Sequence, residues 1–385
     1  MMKYLKKIIV AMLLMGNLSC TKEFLEAKPN KALLVPTTVA DMRLLLNNFS
    51  VMNNMCALQE IASDDFYLND AGFLSLSFIE KNSYIWAADI FQGAVNSDWN
   101  TGFQQIFYSN LVIDGLLKMD VGTDGYNEIN GTAHFYRGLA LYNLAQLFCK
   151  PYSAATQADL GLPIRLSSDV NIKSKRSTIA QTYAQINSDL EVAERLLPIT
   201  SSTKLTPTKL AAIGILARVA LGMGDYGKAY FYADRYLKEK SILFDYNALN
   251  TNATGLIFPS ASTGQNHEIT FLSSLISYAF IGGTQAIVVP EFYALYEAND
   301  LRRQVFYISR NGQLNFRGSY SGPSTPASIF AGLSTNEMYL VRAECLARDH
   351  QINEALKDLN ALLLKRYRSG TFVSALQSCP PATQR

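Results

Sequence analysis

The sequence predicts a mostly α-helical protein in which tetratricopeptide-like helical pairs form a scaffold with long loop excursions and a small β-hairpin. Three observations favour this fold class. Apolar residues recur with the period of a helix over much of the chain. One helix–turn–helix design occurs twice, and loops rich in amide and aromatic residues separate the two occurrences. Such pairs bury their remaining apolar faces against neighbouring helices.

Composition argues against several classes of protein. The chain has 385 residues, of which 49% are hydrophobic and 17% charged, and its formal net charge is +2. This low charge argues against charge-driven disorder and against a strongly basic nucleic-acid-binding surface. With only three histidines, neither a multi-histidine metal site nor a cofactor is expected. By contrast, 21 Tyr, 20 Phe and 2 Trp supply abundant aromatic surface.

The N-terminus is predicted to be a lipoprotein signal peptide over residues 1–19, followed by a tether over residues 20–38. Lysines precede eight consecutive apolar residues, 8–15. As a helix these span about 12 Å, too short for a bilayer core of about 30 Å. The next residues resemble a bacterial lipobox ending at Cys20, although Asn17 stands where leucine is usual. We therefore expect a lipid on Cys20, with cleavage as a plain secretory signal as the alternative.

The helical domain is predicted to cover residues 39–385. Apolar side chains recur every three or four residues in six segments: 39–49, 99–119, 131–148, 178–197, 206–223 and 227–238. Pro151 and Pro198 follow two of these segments, where proline can end a helix. Asp98 precedes the second segment and is expected to be its N-cap.

The helical pair at 206–238 shares its design with a second pair at 336–365. In each pair an arginine lies on the first helix, and an alanine follows 11 or 13 residues later on the second helix. Small residues on facing sides allow two helices to pack closely. Helical repeats are therefore predicted near 99–238 and 336–365, and ordinary paired helices without a true repeat are the alternative.

Two loop-rich regions, near 61–91 and 247–325, are predicted to face a ligand. The first mixes aromatic residues with Asp and Asn and has no sustained helical period, which predicts loops with short helical turns. The second contains Asn311-Gly312 between two short runs of strand-forming residues. This pattern is typical of a hairpin with a type I′ turn.

Aromatic rings beside polar side chains are suited to sugar binding. Rings pack on the apolar face of a sugar, and polar groups bind its hydroxyls. The candidate ligand-binding residues are Asp65, Tyr67, Asn69, Phe73, Tyr84, Trp86, Tyr307, Asn315, Arg317 and Tyr320. We expect these loops to be accessible, and the alternative is that their rings only fix the loops to the scaffold. Trp99 lies in a periodic helix and is expected in the core.

Catalysis is not predicted. Glycan hydrolysis would need two carboxylates held roughly 5 to 10 Å apart. Asp64 and Asp65 are the obvious pair, but adjacent residues on irregular chain rarely point together. The sequence contains no serine-hydrolase, zinc-protease or nucleotide-binding motif. We therefore expect a protein that is not an enzyme, and a glycoside hydrolase remains the catalytic alternative.

Several short motifs follow one another along the chain: Cys20-Thr21-Lys22-Glu23-Phe24-Leu25-Glu26, Asp98-Trp99, 133–140, Leu162-Pro163, 183–198, Ala217-Arg218, Gly224-Asp225-Tyr226 and 339–360. Their order resembles that of the SusD/RagB family of Bacteroidetes outer-membrane nutrient-binding lipoproteins. Each motif alone is weak, but their order extends over nearly the whole chain. Residues 378–385 depart from the family's usual ending, so we expect a truncated or frame-shifted C-terminus.

The resemblance implies a function as well as a fold. Family members lie at the cell surface, anchored in the outer membrane by their lipid, beside a TonB-dependent transporter of the SusC type. They bind a glycan or oligosaccharide, in some cases a peptide, and deliver it without catalysis. Ligand residues vary within the family, so none is carried over to this chain. The alternative is a helical-repeat lipoprotein scaffold that binds protein partners.

Overall fold

The computed structural model describes residues 36–374, apart from 262–263, 283–284, 319 and 323–328. The predicted signal peptide, Cys20, most of the tether and residues 378–385 lie outside the described residues. Helices dominate the described part of the chain. None of them is both long enough and apolar enough to span a lipid bilayer.

Short elements make up the first part of the fold. They are α1 (Val39–Leu46), α2 (Phe49–Met52), β1 (Asn54–Met55), α3 (Leu58–Ile61), β2 (Phe66–Tyr67), α4 (Asp70–Ser75) and α5 (Phe78–Tyr84). Loops with short helical turns were expected over 61–91, and this prediction is confirmed. The predicted helix at 39–49 is shorter than expected, because Asn47 and Asn48 separate α1 from α2.

Long helices form the scaffold that follows. In chain order the elements are α6 (Ser97–Leu116), α7 (Tyr126–Phe148), β3 (Leu160–Pro163), β4 (Arg176–Thr178), α8 (Ile179–Leu196), α9 (Lys209–Gly222) and α10 (Tyr226–Glu239). Each helix packs mainly on its neighbours in sequence, α6 on α7, α7 on α8, α8 on α9 and α9 on α10. This nearest-neighbour packing is the arrangement expected of helical repeats.

The residue that caps α6 differs from the prediction. Asn96, not Asp98, is the N-cap, and its side-chain oxygen accepts a hydrogen bond from the Trp99 backbone N–H at 2.7 Å. Asp98 is fully buried instead. Its carboxylate accepts hydrogen bonds from the backbone N–H of Ala57 and from the Tyr278 hydroxyl. Asp98 therefore joins α6 to two distant parts of the chain, which a local capping rule does not predict.

Small sheets and the second helical pair complete the fold. The elements are β5 (Ile269–Phe271), β6 (Ser274–Leu275), α11 (Ala279–Gly282), β7 (Ile287–Val288), α12 (Pro290–Ala294), α13 (Arg302–Val305), β8 (Tyr307–Arg310), β9 (Gln313–Phe316), β10 (Leu333–Ser334), α14 (Thr335–Arg348) and α15 (Ile352–Leu364). Strands pair as β1–β6 (parallel) and as β5–β10, β2–β7, β3–β4 and β8–β9 (all antiparallel).

The predicted hairpin is confirmed as β8–β9. Its register pairs Tyr307 with Phe316 and Arg310 with Gln313. Asn311 and Gly312 connect the strands with φ angles of 51° and 78°. Both values lie in the left-handed region that a type I′ turn requires.

The second helical pair stacks on the first. Helix α14 packs against α15 and also against α10. The arginine on the first helix of each pair links α14 to its neighbours, Arg218 from α9 and Arg342 from α14 itself. Arg218 forms an ion pair with Glu337 at 2.7 Å, and Arg342 pairs with both Asp234 and Asp358, at 2.9 and 2.7 Å. The mostly α-helical, tetratricopeptide-like fold class is confirmed.

Among the described residues, three apolar clusters stabilise this arrangement. The main cluster lies among the long helices and contains the buried rings of Phe135, Tyr136 and Tyr183. Trp99 packs against this cluster as expected. A second cluster lies beneath the loops around Phe258 and Tyr320. The third contains Phe280 and underlies the 61–91 segment, so this loop-rich region is supported by a core of its own.

Candidate functional site

Trp86 is the most exposed aromatic residue of the 61–91 segment, with 76% of its surface accessible. Its indole Nε1–H donates a hydrogen bond to the Ala62 carbonyl at 3.0 Å. Its φ angle of 55° lies in the left-handed region. A non-glycine residue held there costs about 1 to 3 kcal/mol, and such residues concentrate at binding and catalytic sites. The chain therefore holds an apolar ring in solvent in one fixed orientation.

Helix α5 places Trp86, because the helix ends two residues before it. Ser77 and Glu80 form a capping box at its N-terminus. The other oxygen of the Glu80 carboxylate accepts a hydrogen bond from the Phe280 backbone N–H at 2.9 Å. Since Glu80 is buried, these hydrogen bonds fix α5 against α11 and the third apolar cluster.

Tyr84 and Tyr67 lie on the same segment as Trp86. The Tyr84 hydroxyl accepts a hydrogen bond from the Leu68 backbone N–H at 3.2 Å, and the Trp86 indole N–H donates one to the Ala62 carbonyl. These two hydrogen bonds fix the two ends of residues 62–68. Tyr67 lies within this stretch and is 40% exposed. Tyr84 itself is half-buried and packs on the third apolar cluster, so the exposed rings are those of Tyr67 and Trp86. We call Tyr67, Tyr84 and Trp86 together the aromatic surface.

Asn69 and Phe73 have supporting positions beside the aromatic surface. Asn69 is exposed and caps α4, accepting a hydrogen bond from the Gly72 backbone N–H at 2.8 Å. Its side-chain oxygen is thus occupied, while its NH₂ group can still donate. Phe73 is half-buried, with its ring centroid 6.1 Å from that of Tyr84. Phe73 therefore backs the tyrosine ring.

Strand β2 brings the two predicted loop regions together. Its residues pair with β7 as Phe66 with Val288 and Tyr67 with Ile287. Just before the strand, the Asp65 carbonyl accepts a hydrogen bond from the Val289 N–H at 3.0 Å. On the other side, the Asn315 side-chain NH₂ donates to the Ala286 carbonyl at 2.9 Å. Segments more than 200 residues apart in the sequence therefore lie side by side.

A second aromatic cluster surrounds Tyr307. Its ring centroid lies 5.5 Å from that of Tyr293 and 5.7 Å from that of Tyr296, and the Arg303 guanidinium lies 4.5 Å from the Tyr293 ring centroid. Burial, followed by the hydrogen bond to Tyr296 and the charges of Tyr296 and Asp65, raises the pKa of Tyr307. Asp65 is thus an electrostatic neighbour of this cluster.

Tyr293, Tyr296 and Arg303 were not among the sequence-based candidates. A usable sequence signal exists, since two tyrosines spaced three residues apart follow Pro290, which begins α12. Tyrosine rings of this kind present an apolar face with a polar hydroxyl at one end, which suits them to pack on a neighbour or on a ligand.

Four candidates of the second loop-rich region, 247–325, require correction. Tyr307, Asn315, Arg317 and Tyr320 are only 9%, 2%, 8% and 8% exposed, so the expectation that they lie on an accessible surface is wrong. Most of their polar atoms bind the protein itself, and the Tyr320 hydroxyl donates to Glu268, although the Arg317 Nη2 is buried without a hydrogen-bond partner among the described residues.

The burial of these side chains has a simple cause. The loop before β5 covers the end of the hairpin, and its backbone carbonyls need donors. Arg317 supplies them, donating to the carbonyls of Thr251 and Gly255 at 3.2 and 3.1 Å.

The two acidic residues considered as a pair from the sequence differ in their exposure. Asp64 is exposed and Asp65 half-buried. Desolvation, and then the charge of Asp65, raises the pKa of Glu60, so Glu60 is an electrostatic neighbour of Asp65. Within the described ranges, no group of three or more His, Cys, Asp or Glu residues is placed to hold a metal ion.

Comparison with known proteins gives a consistent result. A SusD-like family model, described as starch-binding and associating with the outer membrane, matches residues 23–221, just over half of the chain. A SusD-like protein of Formosa agariphila is 28% identical over 151 residues, which are 39% of this chain and only 28% of that relative's length.

Solved structures share the fold. A SusD-like carbohydrate binding protein of Bacteroides vulgatus superposes with a TM-score of 0.65 at 20% identity, covering 89% of this chain and 78% of that one. A SusD superfamily protein of Bacteroides thetaiotaomicron gives a TM-score of 0.68 at 23% identity, covering 86% and 81%. At this level of identity the likeness is evidence of a common fold alone.

Proposed function

This chain belongs to the SusD/RagB family, and from that premise we propose that it binds a nutrient oligosaccharide, or alternatively a peptide, at the aromatic surface. The observation that carries the proposal is that the Trp86 ring is exposed and yet fixed in position. A large ring that is 76% exposed, hydrogen-bonded at one edge and held at a left-handed φ angle contributes little to folding. It is, however, well placed to stack on the face of a sugar ring.

Polar groups beside the rings would bind the sugar hydroxyls. The Asp65 carboxylate can accept hydrogen bonds from them, and the Asn69 side-chain NH₂ can donate. Because hydrogen bonds already hold Trp86 and Tyr84 in place, binding would order few additional groups. Such preorganisation lowers the entropic cost of association.

We further propose that the bound ligand passes unchanged to a SusC-like TonB-dependent transporter. On this proposal the chain lies at the surface of the outer membrane and is held there by a lipid on Cys20, after removal of residues 1–19. The family assignment and the lipobox-like sequence before Cys20 support it. The ligand is delivered without chemical change, so no catalytic residue is assigned.

A glycan array probed with the whole chain, purified in detergent, tests the binding proposal. We expect binding to a subset of glycans and a loss of about tenfold or more in the Trp86→Ala variant, equivalent to about 1.4 kcal/mol. Tyr67→Ala should also weaken binding. The matched control is Tyr230→Ala, since Tyr230 is 39% exposed but lies on α10. Binding that is unchanged by Trp86→Ala would contradict the proposal.

Two further outcomes separate the alternatives. Indifference to every glycan and peptide, together with binding to a protein partner, would favour the helical-repeat scaffold. Mass spectrometry of the ligand after prolonged incubation should find it intact. Cleavage products that disappear in the Glu60→Gln or Asp65→Asn variant would instead favour hydrolysis.

A further inference from the structure

A cavity of about 530 Å³ opens between the loop after α8, the start of α9 and the end of α10. Its volume lies within the range of small-molecule binding sites. No residue of the aromatic surface lines it. The cavity is therefore separate from the site proposed above.

Positive charge dominates the lining of this cavity. Among the described residues that line it, the cationic side chains are Lys204, Lys209, Arg235, Lys238 and Lys240, and the one carboxylate is that of Glu239. Arg235 is paired with Glu194 at 2.6 Å and Lys238 with Asp234 at 2.7 Å. The three remaining lysines form no ion pair with any carboxylate of the described chain.

The surroundings of Lys240 show the effect of this excess positive charge. Its ammonium group donates hydrogen bonds to the Thr270 hydroxyl at 2.8 Å and to the Ile269 carbonyl at 3.1 Å, but neither acceptor is charged. Burial, and then the charge of Lys204, lowers the pKa of Lys240 to about 7. Desolvated positive charge without a counter-ion is unfavourable, so a bound anion would relieve it.

The rest of the lining offers hydroxyl and apolar groups. Backbone N–H groups donate to the Ser201 and Thr203 side-chain oxygens, which leaves their hydroxyl hydrogens able to donate. Apolar wall is supplied by Ile199, Leu210 and Ile213. The cavity thus combines cationic, hydroxyl and apolar groups. A ligand that matches all three carries an acidic group, several hydroxyls and an apolar CH face.

We propose that this cavity is a second binding site, which takes a sugar unit carrying an acidic group: a carboxylate, a sulfate or a phosphate. Lysines bind the acid, lining hydroxyls bind the ring hydroxyls, and the apolar wall packs on the CH face. That the ligand is a saccharide rests on the proposed function. Selectivity for an anion does not, because it follows from the lysines alone.

Binding at this site is linked to protons. An anion beside Lys240 stabilises its charged form and raises its pKa, so the complex takes up protons near neutral pH and affinity is higher at pH 6 than at pH 8.5. The charges that act on Lys240 are those of Lys204 and Glu268. The other charged groups that line the cavity around it are Lys209, Arg235, Lys238 and Glu239. The Glu268 carboxylate is bound to Arg366, so Glu268 does not replace the anion.

Isothermal titration calorimetry on the whole chain tests the proposal with four probes: glucuronate, glucose 6-phosphate, glucose and inorganic sulfate. We expect one or both acidic sugars to bind, with glucose and sulfate at least tenfold weaker. Lys204→Gln and Lys209→Gln should each reduce affinity about tenfold, the usual size of a lost charged hydrogen bond. The matched control is Lys357→Gln, an exposed lysine on α15 outside the cavity.

The remaining outcomes decide against the proposal. Affinity for glucose equal to that for both acidic sugars, binding of sulfate alone, affinity unaffected by both lysine variants, or, for the carboxylate probe, equal affinity at pH 6 and pH 8.5 would each overturn it. The probe and pH comparisons use the unmodified chain, so they hold even if a variant folds poorly. Trp86→Ala should leave this binding unchanged, which separates a failure here from a failure of the aromatic surface.

Discussion

Arg366 donates a hydrogen bond from Nη2 to Oε1 of Glu268 across 2.5 Å, and the two side chains are only 3% and 0% exposed. The second Glu268 oxygen accepts from the Tyr320 hydroxyl. Arg366 also donates to the Phe244 carbonyl at 2.7 Å, and its guanidinium lies 4.1 Å from the Tyr246 ring centroid. One buried ion pair thus joins the chain after α15 to the loop-rich region.

Glu268→Ala is expected to destabilise the protein by about 3 to 5 kcal/mol, because it leaves the buried Arg366 charge without a partner. Urea unfolding followed by circular dichroism measures the change. The control is Glu354→Ala, which breaks an ion pair whose side chains are 63% and 53% exposed, and a loss below about 1 kcal/mol is expected there. Similar losses in the two variants would contradict the prediction.

The long helices could be predicted from the sequence because their signal is local. Apolar residues at helical spacing predicted a helix over 178–197, and α8 covers Ile179–Leu196. Its predicted stripe, including Tyr183, Ile186 and Leu190, is buried. The β8–β9 hairpin was also predictable, since Asn311-Gly312 fixes the turn through backbone preferences alone.

The candidate surface was predicted less well, because its geometry depends on distant partners. Strands β2 and β7 have two residues each, too few to show an alternating pattern. Asn315 looked like a ligand-binding amide, but its donor goes to the Ala286 carbonyl. Composition identifies residues able to bind a sugar; which of them reach solvent is decided by loop packing.

Asp189 is expected to make stability depend on pH. Its carboxylate, 1% exposed, is bound by His134 at 2.8 Å and by Arg137 at 2.6 Å. Burial alone would raise the pKa of Asp189, but the hydrogen bonds from His134 and Arg137 outweigh it and hold the pKa below its usual value. This stabilisation is present above the unfolded-state pKa of about 4 and is lost as pH falls through the lower folded-state pKa.

The Asp189→Asn variant separates this effect from general acid unfolding. We expect it to be less stable than the unmodified chain at pH 7 and to lose less stability between pH 5 and pH 3. Urea midpoints at each pH measure both changes. An unaltered pH dependence in the variant would show that Asp189 does not contribute.

Gly161 allows β3 to approach α8 closely. A Cβ at this position would overlap the Thr178 carbonyl oxygen and the Thr182 hydroxyl. Gly161→Ala should therefore destabilise the protein by about 1 to 3 kcal/mol. Gly227→Ala is the control, because the nearest atom lies 3.7 Å away and the residue is exposed near the start of α10. It should be stabilising by about 0.4 to 1 kcal/mol, and thermal melts of both variants would reveal the opposite signs.

The two tryptophans should differ in their access to solvent. Trp86 is 76% exposed, whereas the Trp99 ring packs edge-on to Phe148 at a centroid distance of 5.0 Å and lies 4.6 Å from Phe103. Acrylamide should therefore quench the emission of the Trp99→Phe variant efficiently. The Trp86→Phe variant should emit at shorter wavelength and resist the quencher, since only the packed indole remains.

A bound saccharide provides a further test of the same residue. If Trp86 stacks on the ligand, a saturating glycan should protect the Trp99→Phe variant from acrylamide and leave the Trp86→Phe variant unaffected. Stern–Volmer constants with and without glycan measure this protection. Efficient quenching of the Trp86→Phe variant would show that the Trp99 ring is accessible to solvent and would contradict the prediction. Quenching of Trp86 that the bound glycan does not reduce would place the ligand elsewhere, because a stacked ring loses one of its two accessible faces.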